Sequence, residues 1–82
     1  METTYKAYTI HPNSERQPDG RWLPVAELEI FHGGSVTTKP PLRAKSHGAR
    51  MTRAEADVAA VQMARTWIDA EWLTEQDAPG VL

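Results

Sequence analysis

One long amphipathic segment near the C-terminal end limits most strongly what this chain can fold into. It begins with Thr-Arg-Ala-Glu at residues 52–55, a capping box in which the Thr52 hydroxyl can accept a hydrogen bond from the Glu55 amide. The apolar residues that follow are spaced by three and four and share one face of a helix: Ala60, Val61, Ala64, Trp67, Ile68 and Trp72. We therefore predict a helix over about residues 53–76, whose apolar face must be covered by another element.

The chain before this helix contains two longer segments with the composition of β-strands. Residues 4–11 are rich in aromatic and β-branched side chains, and residues 22–32 alternate between apolar and polar ones. The polar stretch between them ends in Pro-Asp-Gly at residues 18–20, which is typical of a tight turn. We predict two antiparallel strands here. We also expect Tyr5 and Tyr8 to face opposite sides of the first strand, because they are an odd number of residues apart.

A third, shorter strand is expected at residues 35–39. The Gly-Gly pair at residues 33–34 suits a tight turn from the second strand, and the prolines at residues 40–41 cannot donate hydrogen bonds to a sheet. Residues 40–51 show no periodicity and are predicted to form an exposed basic loop. The order β-β-β-α then predicts an α+β fold, in which a three-stranded antiparallel sheet is packed on one face by a single long C-terminal helix.

Length and composition indicate a single folded domain. The chain has 82 residues, fewer than the ~150 of an average domain, so residues 1–82 are expected to form one unit. It contains no cysteine, which excludes a disulfide framework and a thiol nucleophile. The N-terminus is polar, and no apolar run approaches the ~20 residues that span a bilayer, so we predict a cytoplasmic protein with no membrane partner.

The net charge of −2 conceals an uneven distribution of charged residues. No aspartate or glutamate occurs between Glu29 and Glu55, a stretch that contains a group of cations. These candidate anion-binding or nucleic-acid-binding residues are Lys39, Arg43, Lys45, Arg50 and Arg53. One interpretation is that they contact phosphates beside the N-terminus of the helix, whose exposed amides favour anions. The other is that they belong to a solvated loop.

Residues that could carry catalysis or bind a metal are not grouped in the sequence. His11, His32 and His47 stand far apart, without the close spacing that places two metal ligands on one side of a helix or turn. No serine lies in a Gly-x-Ser-x-Gly turn. We therefore expect no catalytic, cofactor-binding or metal-binding residues, no cofactor and no enzymatic activity.

Trp72 and Leu73 are candidate protein-contact residues near the end of the predicted helix. The helix is expected to be longer than a sheet of short strands can cover, so its end should overhang. Packing within the core is the alternative for Trp72. An overhanging apolar end and a short edge strand are compatible with either a monomer or a homodimer.

Three short motifs are distributed over most of the chain. They are Asp-Gly-Arg-Trp at residues 19–22, Thr-Arg-Ala-Glu-Ala at residues 52–56 and Ala-Arg-Thr-Trp-Ile-Asp at residues 64–69. In these motifs the chain resembles small uncharacterised bacterial proteins, mostly proteobacterial, that form a domain of unknown function. The resemblance implies a sheet-plus-helix fold and no catalytic residues. The order of elements is also similar to the last four elements of double-stranded-RNA-binding domains, but the first helix and the lysine-rich helix start of that family are missing here.

These features together predict a small non-enzymatic binding or accessory module that acts through contacts with an unidentified protein partner. The chain is too short to build a deep pocket, and its sequence groups no nucleophile with a base. The alternative is binding to a phosphate backbone, as in nucleic acid, through the cations of residues 39–53. The acidic overall balance favours the first hypothesis, because nucleic-acid-binding proteins usually carry net positive charge.

Overall fold

The computed structural model describes the backbone of residues 2–80 and the side chains of residues 2–31 and 33–71. Its elements in chain order are β1 (Thr3–Tyr5), β2 (Tyr8–Pro12), β3 (Glu15–Arg16), β4 (Trp22–Leu23), β5 (Val25–His32), β6 (Ser35–Arg43), a 3-10 turn (Ser46–Gly48) and α1 (Arg53–Gly80). Four strands form an antiparallel sheet in the order β1-β2-β5-β6, and β3 pairs with β4 in a small separate hairpin. The predicted α+β fold, with a C-terminal helix packed on an antiparallel sheet, is confirmed.

The first predicted strand is in fact a hairpin of two strands, so the sheet has four strands where three were predicted. The chain turns between β1 and β2 with Lys6 in the left-handed region, at a φ of +55°. A residue other than glycine seldom adopts this conformation, and the local sequence therefore did not indicate a turn. The turn pairs Tyr5 with Tyr8, and paired residues lie on the same face of a sheet. Both tyrosines pack on the core side, which corrects the prediction that they face opposite sides.

The outer strand β6 continues through Pro40 and Pro41 to Arg43, well beyond its predicted end at residue 39. Proline cannot donate to a neighbouring strand, but an outer strand has a neighbour on one side only. The pairing of β6 with β5 also shifts register at the two prolines, which places them in a bulge. The predicted basic loop over residues 40–51 is therefore wrong in its first part, and the connection to α1 begins after Arg43.

The predicted loop between the first two strands contains β3, and the predicted strand over residues 22–32 is divided at Pro24 into β4 and β5, of which β4 pairs with β3. The Gly20 amide donates to the Gln17 carbonyl at 2.9 Å, and Gly20 has a φ of +88°, which favours glycine. Trp22 of β4 forms an antiparallel bridge with Arg50, with two reciprocal backbone hydrogen bonds of 2.7 Å. This bridge holds the chain just ahead of α1 against the hairpin and so positions the start of the helix.

The helix α1 begins with the predicted capping box. The Glu55 amide donates to Thr52 Oγ1 at 3.1 Å, and the Thr52 hydroxyl donates to Glu55 Oε1 at 3.0 Å. These bonds satisfy groups that have no partner inside the first turn of a helix. The helix ends at Gly80, beyond the predicted end near residue 76.

The core lies between α1 and the sheet face that the helix covers. Ile10 of β2, Leu28 of β5 and Ile68 of α1 are fully buried. Ala60 and Ala64 on the helix are fully buried as well, and side chains of this size let the helix approach the sheet closely. The apolar helix face predicted from the sequence is thus confirmed from residue 60 to residue 68.

Candidate functional site

The sheet face that points away from α1 carries the side chains of the candidate site. Successive side chains in a strand point to opposite faces, so the neighbours of buried Ile10 and Leu28 point away from the helix. Strand pairing extends this assignment to β1 and β6, because paired residues share a face. We call this surface the open face. Its members are Thr4, Thr9, His11, Glu27, Glu29, Phe31, Val36 and Thr38. Val25 and its partner Arg43 continue the same side of the sheet beyond Glu27, but Val25 is buried there, and we do not count this end as part of the open face.

Phe31 and Val36 form an apolar pair at one end of the open face. They lie opposite each other on β5 and β6, next to the turn at Gly33 and Gly34, whose φ values are +59° and +82°. Two positive φ values give a tight turn whose twist matches that of the strands, and glycine adopts them readily. Phe31 is 64% exposed and Val36 is 58% exposed. The fold therefore holds two large apolar side chains side by side in solvent.

Three carboxylates lie on or beside the open face, and we call Glu2, Glu27 and Glu29 the acidic cluster. His11 stands among them, with Nδ1 3.2 Å from Glu2 Oε2 and Nε2 in hydrogen-bonding contact with Glu29. Asn13 Nδ2 donates to Glu27 Oε1 at 3.2 Å. The Glu29 side chain is 37% exposed and that of Glu2 is 66% exposed. These contacts orient the carboxylates and still leave them accessible to a partner.

Two shallow depressions connect the apolar pair with the acidic cluster. The one at the apolar end has a volume of about 260 Å³ and is lined by Glu2, Thr9, His11, Glu29, Phe31 and Val36. The other has a volume of about 450 Å³ and is lined by His11, Pro12, Asn13, Glu27, Glu29 and Thr38. Both include His11 and Glu29, so the open face is one continuous surface. Among the residues that the structure describes, no group of three or more His, Asp or Glu side chains is arranged to hold a metal ion.

Two of the candidate phosphate-binding cations have partners within the protein. Arg43 at the end of β6 donates to the Glu15 carboxylate of β3. Arg53 lies over the Trp22 ring, with its guanidinium carbon 5.6 Å from the ring centroid and its Nε 3.9 Å from Asp57 Oδ2. Both guanidinium groups therefore contact side chains of the protein itself.

The remaining three cations lie in other environments. Lys39 pairs with Leu28, which places it on the face of the sheet that the helix covers, and it is partly buried there. Lys45 and Arg50 are exposed in the connection between β6 and α1. The five cations that are close in sequence therefore occupy different environments rather than one common cationic surface.

Trp72 and Leu73, the candidate protein-contact residues from the sequence, belong to α1. Their side chains lie outside the described part of the structure. The expectation that they contact a partner stays a prediction.

The sequence contained a signal for the open face that the predictions did not use. The alternation along β5 assigns Glu27, Glu29 and Phe31 to the outward positions, and Phe31 is an apolar residue where a polar one is the rule. Val36 could be placed beside Phe31 only once the pairing of β5 with β6 was known. His11 could likewise be placed beside Glu29 only from the pairing of β2 with β5.

Two aspartates on α1 attach the helix to the sheet side of the molecule. The Ser14 hydroxyl donates to Asp57 Oδ1 at 2.7 Å, and Ser14 is only 5% exposed. Asp69 Oδ1 accepts from the Tyr5 hydroxyl at 2.8 Å and from the Lys6 ammonium at 2.7 Å. The two aspartates are separated by about 18 Å along the helix axis, so α1 is held at two distant points.

The contacts of Asp69 change the acidity of the groups involved. Hydrogen bonds from Lys6 and then Tyr5 hold the pKa of Asp69 below its usual value of 3.8. The same hydrogen bond to Asp69 raises the pKa of the Tyr5 hydroxyl above its usual value of 10.0. The Arg65 guanidinium also lies against the Tyr5 ring, 5.3 Å from its centroid. The charged form of Asp69 is therefore the one that the fold favours.

We expect acid to weaken the fold through Asp69. Its pKa is lower in the folded state than the 3.8 of the free group, so its contribution is present above about pH 3.8 and is lost as the pH falls through the folded-state value. The variant Asp69→Asn should flatten this part of the pH dependence, as measured by urea unfolding between about pH 2 and 7. Some acid dependence should persist in the variant, because contacts with Arg21 also lower the pKa of Asp19. An unchanged acid slope in Asp69→Asn would contradict the expectation.

Comparisons beyond the chain itself provide no functional assignment. No helix in the described part of the chain is both long enough and apolar enough to cross a bilayer. No protein-family model, curated protein or solved structure matches the chain. The resemblance to uncharacterised bacterial proteins therefore stays a prediction, and a function has to be inferred from the geometry of the molecule.

Proposed function

We propose that the protein is a small binding module that docks another protein on the open face of its sheet. The observation that carries this proposal is the apolar pair, Phe31 and Val36, held in solvent at 64% and 58% exposure. Large apolar side chains that lie together on a surface are typical of interaction sites, whereas a single scattered one is ordinary. Aromatic residues, including Phe, are also enriched at the cores of protein interfaces.

Burial of the apolar pair would contribute substantially to the affinity for a partner. Complete burial of a Phe or Val side chain is worth about 1.5–3 kcal/mol relative to exposure, so the pair supplies several kcal/mol. Both residues lie in paired strands and flank a two-glycine turn, so their backbone is already ordered before binding. An ordered backbone lowers the entropic cost of association. The pair therefore has the properties of a preorganised anchor.

The shape and charge of the surface support a protein partner over a small-molecule substrate or a nucleic acid. The two depressions lie on an open sheet and do not enclose a small ligand, which supports docking over catalysis. Phosphate-backbone binding is less well supported, because the Glu15 and Asp57 carboxylates accompany Arg43 and Arg53, and the open face itself carries carboxylates. The open face is thus better suited to a protein than to a nucleic acid.

The proposal is tested by comparing three immobilised proteins as baits in a lysate of the source organism. They are the wild type, the double variant Phe31→Thr/Val36→Thr and the control Val58→Thr, which changes a residue 50% exposed on α1. Threonine is β-branched and suits strands at both positions, so the double variant should stay folded, as far-UV circular dichroism would check. A specific partner should bind the wild type and the control, and binding to the double variant should be at least about tenfold weaker, equivalent to about 1.4 kcal/mol.

Two outcomes would contradict the proposal. One is that no protein is retained specifically by the wild type. The other is that a retained protein binds the double variant as well as it binds the wild type, which would place its docking site away from Phe31 and Val36.

A further inference from the structure

The charge of the open face is negative and close to its apolar pair. The eight open-face side chains include no Lys or Arg, and the acidic cluster contributes three carboxylates. Arg43 lies on the same side of the sheet beyond Glu27, where it pairs with Val25 and donates to the Glu15 carboxylate. The surface is negative whether His11 is neutral or protonated, since a single imidazolium cannot balance three carboxylates. The partner that binds the apolar pair must therefore also carry groups that complement this concentrated negative charge.

The carboxylates of β5 lie in line with the apolar anchor. Phe31, Glu29 and Glu27 are successive outward residues of one strand. Outward positions in a strand are about 7 Å apart, so the two carboxylates follow Phe31 at about 7 and 14 Å. A partner segment in extended conformation repeats its own side chains at the same interval on one face. Its apolar residue at Phe31 would therefore be followed by residues facing Glu29 and Glu27 at the second and fourth positions.

The negative charge of the open face also disfavours other classes of binding partner. A second copy of this chain docked face to face with parallel strands would bring two acidic clusters together, and like charges that are brought together in an interface cost affinity. With antiparallel strands about the apolar pair, the second open face would supply no Lys or Arg to either cluster. A nucleic acid or an anionic lipid surface would present further negative charge to Glu2, Glu27 and Glu29. A cationic protein segment is the remaining class that complements both the carboxylates and the apolar pair.

We infer that the open face binds an extended, cationic protein segment in which an apolar residue is followed by Lys or Arg at the second and fourth positions. This inference rests on the proposed docking function and adds the chemistry of the partner. The apolar residue packs against Phe31 and Val36, and the two cations face Glu29 and Glu27. Affinity comes mainly from the apolar contact, and the charges select the partner and its direction along β5.

The test uses synthetic seven-residue peptides and NMR titration of the full chain. The cationic probe is Thr-Val-Thr-Lys-Thr-Lys-Thr with blocked ends, and the anionic control replaces both lysines with glutamates. Shifts of open-face amides are expected with the cationic probe, with an affinity at least about tenfold above that of the anionic control at low salt. This preference should shrink as the salt concentration rises from about 20 to 300 mM, because screening weakens interactions between exposed charges.

Matched variants locate the charges responsible for the preference. Glu27→Gln/Glu29→Gln should weaken binding of the cationic probe by about threefold to tenfold, the effect expected for two exposed ion pairs. Asp19→Asn/Glu71→Gln makes the same change in net charge away from the open face and should leave binding nearly unchanged. Phe31→Thr should weaken binding of any peptide that uses the apolar pair.

The outcomes separate this inference from the proposed function. Equal or stronger binding of the anionic peptide at the open face would overturn the cationic partner and leave docking at the apolar pair standing. Shifts confined to residues outside the open face, or no shifts with the cationic probe, would also overturn the inference. The lysate comparison, which does not depend on peptide charge, decides the proposed function independently.

Discussion

Replacing Ile68 with alanine is expected to lower the free energy of unfolding by about 2–5 kcal/mol. Ile68 is fully buried on α1, where it packs in the cluster with Ile10 and Leu28 of the sheet. The substitution removes apolar contacts and leaves a cavity that the surrounding backbone can fill only in part. Because small domains have free energies of unfolding of about 5–15 kcal/mol, the expected loss is a large fraction of the stability of the whole domain. Urea unfolding followed by tryptophan fluorescence measures it.

The matched control for Ile68 is the variant Val58→Ala on the same helix. Val58 is 50% exposed, so its truncation should cost far less than that of a fully buried residue. Both changes shorten a β-branched residue to alanine, which has a higher intrinsic helix propensity, so differences in propensity cannot explain a larger loss at Ile68. A loss below about 1 kcal/mol for Ile68→Ala would contradict the packing of α1 on the sheet.

Replacing Asp57 with alanine is expected to lower the free energy of unfolding by about 1–3 kcal/mol. The change removes the acceptor of the Ser14 hydroxyl, and Ser14 is 5% exposed, so water can reach this hydroxyl only to a small extent. A buried donor without an acceptor loses its hydration without compensation. The Asp57 side chain is itself 16% exposed, so the pair behaves as a mostly buried contact and not as a surface ion pair. Thermal or urea unfolding of the variant measures the loss.

A double-mutant cycle separates the Ser14–Asp57 bond from other effects of each substitution. The double variant Ser14→Ala/Asp57→Ala should be less destabilised than the sum of the two single variants, with a coupling of about 0.5–3 kcal/mol. The more conservative Asp57→Asn retains an oxygen acceptor and should cost less than Asp57→Ala. Additive losses within about 0.5 kcal/mol would show that the two side chains contribute independently.

Elements whose signals are local were predicted well from the sequence. The capping box at Thr52 and Glu55 and the apolar face from Ala60 to Ile68 depend on residues within one or two turns of each other. The turn at Gly33 and Gly34 depends on two glycines that adopt positive φ without strain. These signals depend only on residues that are close in sequence and need no long-range contact. The order of sheet and helix could therefore be derived without the tertiary structure.

Elements that depend on long-range pairing were predicted less well. The β1-β2 hairpin requires a positive φ at Lys6, which the sheet and the contact of Lys6 with Asp69 support. Strand β6 passes through Pro40 and Pro41 because it is the outer strand, and the position of a strand in a sheet is not encoded in its own residues. Both errors therefore concern segments whose conformation is set by neighbours distant in sequence.

The candidate site also depends on contacts between residues that are distant in sequence. The basic residues between 39 and 53 are close in sequence, but strand alternation and the contacts of Arg43 and Arg53 distribute them over different environments. The open-face residues come from separated strands and become neighbours only through the pairing of β2, β5 and β6. Proximity in sequence was thus a poor guide to proximity in space for charged groups, because β-strands separate adjacent side chains onto opposite faces.

The sequence by itself determined the fold class, the helix with its cap and apolar face, and the hairpin around Gly33 and Gly34. These features follow from hydrogen bonds and side-chain spacing within a few residues. Only the tertiary structure decided the number of strands, the register that places Phe31 beside Val36, and the grouping of His11 with the carboxylates. The physical reason is that strand pairing joins residues far apart in the chain, and a change of one residue in register would move each of these side chains to the other face.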